Sequence, residues 1–274
     1  MLPAKKMAEE QKKAMSFLDH LEALRWHLMR SVVVVVALAI VLFCYNDFVF
    51  GTVIFGPKHD DFLTYRAIRW LFARLGIHTD FHAIKFELIN IDLSGQFSMH
   101  IWVSFMGALV VGIPYILWEL WRFIKPALHK KELRYARWFV FYASLLFLTG
   151  VFFCYYIVVP LTVSFLGGYQ VTAEVTNTIT MDSFISTVTT LTLITGIIFE
   201  LPILAYFLTR FGILSSAFMK KYRRHAVVVI LIVAAVMSPS SDIPTLLVVS
   251  LPLYLLFEVS IFVAKFVERK RKEI

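Results

Sequence analysis

The chain has 274 residues, of which 59% are hydrophobic and 17% are charged, with a formal net charge of +8 at pH 7. A soluble domain is typically about 45–50% apolar and about 25% charged, so this composition excludes an ordinary soluble fold. The apolar residues come in long blocks, which predict an all-α, polytopic membrane protein. Its basic charge is then expected to meet anionic lipid headgroups rather than nucleic acid.

The first 30 residues are polar and precede the first apolar block. Residues 1–15 are rich in Lys and Glu, a composition that is typical of a disordered segment. From Ser16 onward, apolar residues recur at helical spacing, at Phe17, Leu21, Leu24 and Leu28. This pattern predicts a short amphipathic helix that lies at the cytoplasmic membrane surface before the first span.

Six apolar segments follow as candidate transmembrane helices. They cover about residues 31–50, 97–118, 138–161, 183–208, 226–238 and 245–264. The fifth has 13 residues, so at about 1.5 Å per residue it reaches about 20 Å, less than the about 30 Å of a bilayer core. We therefore expect one six-span domain over residues 16–265 and a basic cytoplasmic tail over residues 266–274.

The long segment between the first two spans contains a second helical pattern. Ile68, Leu71, Phe72 and Leu75 have helical spacing, which predicts a short helix packed against the spans.

The distribution of basic residues predicts the orientation. Of the 27 Lys and Arg residues, 22 lie in residues 1–30, 119–137, 210–224 and 265–274. Cytoplasmic loops carry an excess of Lys and Arg, so both termini are expected on the cytoplasmic side.

The sequence contains no dinucleotide-binding, phosphate-binding, zinc-protease or Cys-x-x-Cys motif. We therefore expect no catalytic activity, no cofactor and no metal site.

Two acidic residues lie inside apolar segments. A carboxylate at membrane depth costs roughly 2.5–3.5 kcal/mol on insertion scales. Glu200 stands two residues before Pro202, and it could bond the irregular backbone there or offer a polar docking point for another membrane helix. Glu258 could do the same or make an internal polar contact within the bundle.

The basic loop over residues 119–137 is the strongest candidate for a recognition surface. It holds Glu132 among many bases, together with Phe123 and Pro126. Glu132 and the N-terminal Glu22 could be solvated partners of nearby bases, which contribute little. A loop stiffened by proline and aromatic residues would instead suit binding.

Four motifs make the chain similar to the TatC family of the twin-arginine protein translocase, from about Ser16 to Lys265. They are His20-Leu21-x-x-Leu24-Arg25, Trp121-x-Phe123-Ile124-x-Pro126-Ala127-Leu128-x-x-x-Glu132, Phe199-Glu200-x-Pro202 and Pro252-x-Tyr254-x-x-Phe257-Glu258. The loop motif is the most specific of the four.

The resemblance implies a receptor for signal peptides that carry two adjacent arginines. Such a receptor assembles with single-span TatA and TatB partners into an oligomeric complex, which exports folded proteins by using the proton-motive force. The implied signal-peptide surface is formed by Glu132, Phe123, Pro126, Glu22, Leu24 and Arg25. The implied contacts with partner helices are Glu200, Ser238, Asp242 and Glu258.

The chain departs from the family pattern at three positions. The family usually has Glu where this chain has Ala23, and Glu22 stands one residue earlier, about 100° away on a helix. The family's Pro-Pro-Asp is one residue longer here, at Pro239-Ser240-Ser241-Asp242, and Pro244 replaces a polar residue.

A second interpretation is a proton-coupled small-molecule transporter that uses Glu200 and Glu258 as its relay. Such transporters usually contain internal repeats, and the halves 1–137 and 138–274 do not resemble each other. A third interpretation, a structural scaffold in the membrane, predicts no response to signal peptides.

Overall fold

The computed structural model describes residues 17–74, 86–125, 133–170, 172, 178–237 and 243–272. The helices in chain order are α1 (Phe17–Cys44), α2 (Leu63–Arg74), α3 (Gly95–Ile124), α4 (Leu133–Phe153), α5 (Val159–Gly168), α6 (Met181–Phe199), α7 (Leu201–Arg210), α8 (Ser216–Lys221), α9 (Arg223–Met237) and α10 (Ile243–Lys272). Two π-helical segments, Asp47–Ile54 and Cys154–Val158, and one 3-10 turn, Gly56–Lys58, connect them. The predicted all-α class is confirmed.

Five stretches of the described chain are long and apolar enough to cross a membrane. They are Leu21–Cys44, Gly95–Ile124, Phe139–Gly168, Met181–Arg210 and Leu246–Arg269. The protein is therefore a multi-pass membrane protein, as predicted.

The fifth predicted span corresponds to α9, which has 15 residues. Its length of about 22 Å, at about 1.5 Å per residue, is below the about 30 Å of a bilayer core. Helix length and composition thus identify five of the six predicted spans.

The prediction of a separate interfacial helix before the first span is wrong. α1 runs without a break for 28 residues, from Phe17 to Cys44. This stretch contains neither Gly nor Pro, so the backbone has no residue that would end the helix at the boundary between its polar and apolar halves.

The end of the third span differs from the prediction because irregular helix carries the chain further. The third span was expected to end near residue 161, but the π-helical segment Cys154–Val158 leads directly into α5, which ends at Gly168. Pro160 lies in the first turn of α5 and has no N–H to donate, and the Tyr156 carbonyl one turn earlier accepts a hydrogen bond from the Thr64 hydroxyl.

The helices alternate in direction, and their basic ends meet at one end of the bundle. α1 packs along α3, α3 packs against α4 and α6, and α4 packs against α6. α7 and α9 pack instead on α10. We call the end that contains Arg122, Arg210 and Arg223 the basic end.

The opposite end is closed by the connecting segments. The predicted helix in the first long segment is present as α2, and its Tyr65 is 1% exposed. The Tyr65 hydroxyl bonds to the Pro57 carbonyl and to Ser164, both at 3.2 Å, and burial raises its pKa. A parallel pair of two-residue strands, β1 (Leu88–Ile89) and β2 (Ile179–Thr180), joins the segments that lead into α3 and α6.

Candidate functional site

The predicted recognition loop lies partly outside the described residues. Glu132 and Pro126 are outside them, whereas Phe123 occupies the last turn of α3 and is half-buried. The other predicted residues, Glu22, Leu24 and Arg25, lie on the first turns of α1 and are exposed. Glu22 is exposed, whereas its neighbour Ala23 is half-buried.

A buried carboxylate at the basic end connects these two elements. Glu119 on α3 is 2% exposed. Its Oε1 accepts hydrogen bonds from the Tyr115 hydroxyl at 3.1 Å and from Arg122 Nη1 at 3.2 Å. Its Oε2 is bonded to Nδ1 of His27 on α1. Both oxygens are thus paired, which a buried charge requires.

Glu119 is not among the site residues predicted from the sequence, where it is the first residue of the basic loop over residues 119–137. A signal was present, because Tyr115, Glu119 and Arg122 are spaced four and three residues apart and so share one helix face. Its third partner, His27, lies 92 residues away in the chain.

His27 also reaches the predicted recognition residue Phe123. The two rings lie edge to face, with centroids 6.2 Å apart and planes at 66°. This is a favourable geometry for an aromatic pair. His27 therefore contacts both a buried carboxylate and an aromatic side chain at the end of α3.

An aromatic cluster supports the same end of the bundle from the other side of α3. Trp121 is buried and lies 4.9 Å, centroid to centroid, from Phe139 on α4. Phe139 in turn lies 4.9 Å from Phe207 on α7. These three rings fix the ends of α3, α4 and α7 relative to one another.

Glu200 occupies the junction between α6 and α7. Its carbonyl accepts hydrogen bonds from Ile203 N at 2.9 Å and Leu204 N at 3.0 Å, which starts α7, and Pro202 lies in the first turn. Both carboxyl oxygens are buried and have no hydrogen-bond partner among the described residues. Within the described part of the chain, the Glu200 carboxyl therefore does not bond the irregular backbone near Pro202, which was one of the two alternatives left open by the sequence.

An unbonded carboxyl group in an apolar setting is costly. Glu200 therefore has the chemistry of a hydrogen-bonding site that a group from outside the chain could complete.

Glu258 has internal partners instead. Its Oε2 accepts a hydrogen bond from Arg223 Nη2 at 2.7 Å, and its Oε1 accepts one from the Tyr254 hydroxyl at 2.8 Å. This is the internal polar contact that the sequence left open. The other predicted partner contacts, Ser238 and Asp242, lie outside the described residues.

Comparison with known proteins gives one consistent family. The family model for the Sec-independent protein translocase protein (TatC) matches residues 19–252. The TatC protein of Blattabacterium sp. subsp. Periplaneta americana (strain BPLAN) is 36% identical over 270 residues, covering 96% of this chain and 100% of that protein. The TatC protein of Koribacter versatilis (strain Ellin345) is 34% identical over 272 residues, covering 98% of this chain and 93% of that protein.

Solved structures agree with the sequence relatives. A crystal structure of the twin arginine translocase receptor TatC has a TM-score of 0.65 and 27% identity, covering 91% of this chain and 99% of that one. A second crystal structure of that receptor, in DDM, has a TM-score of 0.68 and 29% identity, covering 89% and 98%.

Proposed function

Because the chain belongs to the TatC family of Sec-independent protein translocase proteins, we propose that it is the signal-peptide receptor subunit of a twin-arginine translocase. It binds paired-arginine signal peptides at the cytoplasmic face of the bacterial inner membrane. With TatA- and TatB-type single-span partners it exports folded proteins by using the proton-motive force.

The observation that carries this proposal is the meeting of α1 and the end of α3 at the basic end of the bundle. The His27–Glu119 bond brings the helix that carries Glu22 and Arg25 next to the turn that carries Phe123. Glu22, Arg25 and Phe123, three of the residues that the resemblance implies for the peptide surface, thus lie at one end of the molecule.

The chemistry of arginine recognition supports the assignment of Glu132 as the main contact. A carboxylate can hold a planar guanidinium through two parallel hydrogen bonds, which lysine cannot reproduce. The surrounding bases repel a basic peptide everywhere except where an acid stands, and this adds selectivity. Phe123, Pro126, Leu24 and Arg25 shape the surface around that carboxylate, and Glu22 supplies a second acid.

Glu200 is the proposed contact for partner helices. Its carboxyl oxygens are buried and unpaired within the described chain, so a polar group on a partner helix would satisfy them. Ser238 and Asp242 contribute to the same flank. Glu258 contributes by holding α9 through Arg223.

The proposed topology has six spans and cytoplasmic termini. α9 acts as the short fifth span, and the bilayer thins locally beside it. Anionic lipids contact the bases at the cytoplasmic surface, and several copies assemble in the complex.

Site-specific photo-crosslinking tests the receptor function. A peptide with paired arginines should crosslink to positions 22 and 123 of the wild-type chain, and a peptide with paired lysines should not. Glu132→Ala should abolish the crosslink, whereas Glu87→Ala, an exposed acid at the opposite end, should leave it intact. Equal crosslinking of both peptides would refute the proposal. Proton-coupled uptake of a small molecule by the purified chain in liposomes would favour the transporter instead.

A further inference from the structure

The contacts of Glu119 leave the His27 ring little freedom. One carboxyl oxygen is taken by Tyr115 and Arg122, and the other is bonded to Nδ1 of His27. Since a carboxylate only accepts hydrogen bonds, Nδ1 of His27 is the donor. With Nδ1 fixed on a buried, fully paired group, the position of the imidazole plane is fixed as well.

The His27 ring also contacts the ring of Phe123. The edge-to-face contact at 6.2 Å and 66° joins a fixed imidazole to a half-buried phenyl ring in the last turn of α3. α3 ends one residue later, at Ile124.

Pairing of α1 with α3 does not depend on His27. Further along the same two helices, a Cβ added to Gly107 would lie 3.0 Å from Leu42, and one added to Gly112 would lie 3.3 Å from Leu38. The rings of Phe43 and His100 stack at 3.8 Å near the opposite end. The two helices are therefore held closely together by contacts remote from the basic end.

We propose that His27 is a positioning residue of the signal-peptide surface: fixed by Glu119, it holds the Phe123 ring in the orientation that the arginine-pair peptide meets. This inference rests on the proposed receptor function and adds a residue outside the family's motif positions. It assigns Glu119 the role of an internal anchor, because its paired oxygens are not available to a guanidinium from the peptide.

The experiment uses the full-length chain in detergent, labelled with 4-fluorophenylalanine at position 123. His27→Asn is the main variant, because its amide nitrogen can replace Nδ1 as donor to Glu119 but it has no ring. Met29→Ala, an exposed change two residues away on α1, is the matched control. The measurements are the fluorine NMR resonance without peptide, the thermal unfolding midpoint, and the affinities for arginine-pair and lysine-pair peptides.

We expect His27→Asn to shift the fluorine resonance and to weaken arginine-pair binding by about two- to tenfold, the range of an aromatic pair. The unfolding midpoint should stay close to that of the wild type, which separates positioning from stability. Adding His27→Asn to Phe123→Leu should weaken binding no further, since the ring to be positioned is then absent. Met29→Ala should change none of the three measurements.

An unchanged fluorine resonance in His27→Asn would overturn the inference. It would also be overturned if the double variant of His27→Asn and Phe123→Leu lost affinity by the product of the two single losses. A wild-type chain without preference for paired arginines would refute the receptor function itself. In that case the fluorine resonance would still decide whether His27 fixes the ring of Phe123.

Discussion

Phe199 on α6 lies directly over Gly150 on α4. A Cβ added to Gly150 would lie 2.6 Å from Cγ and 2.8 Å from Cβ of Phe199. The reverse contact stands beside it, where a Cβ added to Gly196 would lie 2.7 Å from the ring of Phe147. Each helix thus inserts one aromatic ring at a glycine of the other, and the residue after Phe199 is Glu200.

Gly150→Ala should destabilise the protein by about 1–3 kcal/mol, because the added methyl group meets the fixed part of Phe199 and the helices must separate. Unfolding of the detergent-solubilised chain, followed by circular dichroism, measures this. Gly51→Ala is the control, since nothing lies within 4 Å of the Cβ it adds. Equal stability of the two variants would show that α4 and α6 can separate without cost.

Glu200→Leu should stabilise the isolated chain by about 1–3 kcal/mol, because it removes a buried carboxyl group that lacks partners in the described structure. It should also reduce co-purification with a TatA-type partner. Thr209→Val on α7 is the matched control. It removes a different buried polar group, a hydroxyl without a hydrogen-bond partner in the described chain, and it should leave co-purification with the TatA-type partner unchanged. Undiminished co-purification of Glu200→Leu would argue against the docking role.

Arg223→Ala should loosen the first turn of α9, because its guanidinium holds Glu258 on α10 at 2.7 Å. Both side chains are partly exposed, so the free energy of unfolding should fall by no more than about 1 kcal/mol. Hydrogen exchange of the α9 amides gives the local measurement. The exposed neighbour Arg224 carries the same charge, and Arg224→Ala should leave that exchange unchanged.

Glu268→Ala should detach α8 from α10. The Glu268 carboxylate accepts hydrogen bonds from the backbone N of Ser216 at 2.8 Å and from the Ser216 hydroxyl. Bonds to a charged group typically contribute about 1.5–3 kcal/mol. Ser216→Ala removes only the bond from the hydroxyl, so it should lower stability less than Glu268→Ala does. The backbone N–H of residue 216 should also exchange more slowly in Ser216→Ala than in Glu268→Ala. Identical effects of the two variants would contradict this account.

The coarse architecture was predictable because a bilayer imposes length and composition on every span. That constraint placed five of the six predicted segments on stretches of helix long enough to cross the membrane: α1, α3, α4 with α5, α6 with α7, and α10. It gave no information on where a helix starts in the polar region. The polar half of α1 was therefore separated from its apolar half.

The site was predictable only as far as local motifs reach. Phe123 and Glu200 belong to short sequence patterns, whereas the partner of Glu119 depends on which turn of α1 faces which turn of α3. Hydrophobic periodicity does not fix that register, because lipid is as apolar as the side chains between the helices. His27 belongs to no such pattern, so only its contacts with Glu119 and Phe123 identify it.

The helix break at Glu200 divides two sets of neighbours. α6 is packed on α3 and α4 and is tied through β2 to the strand before α3, whereas α7 is packed mainly on α10 and meets α3 and α4 through the ring of Phe207. A change in the angle between α6 and α7 at this joint would therefore move α7 and α10 relative to α6. A partner helix that forms hydrogen bonds with the Glu200 carboxyl would restrain that change of angle. Binding of the partner and the angle between α6 and α7 would therefore be thermodynamically linked.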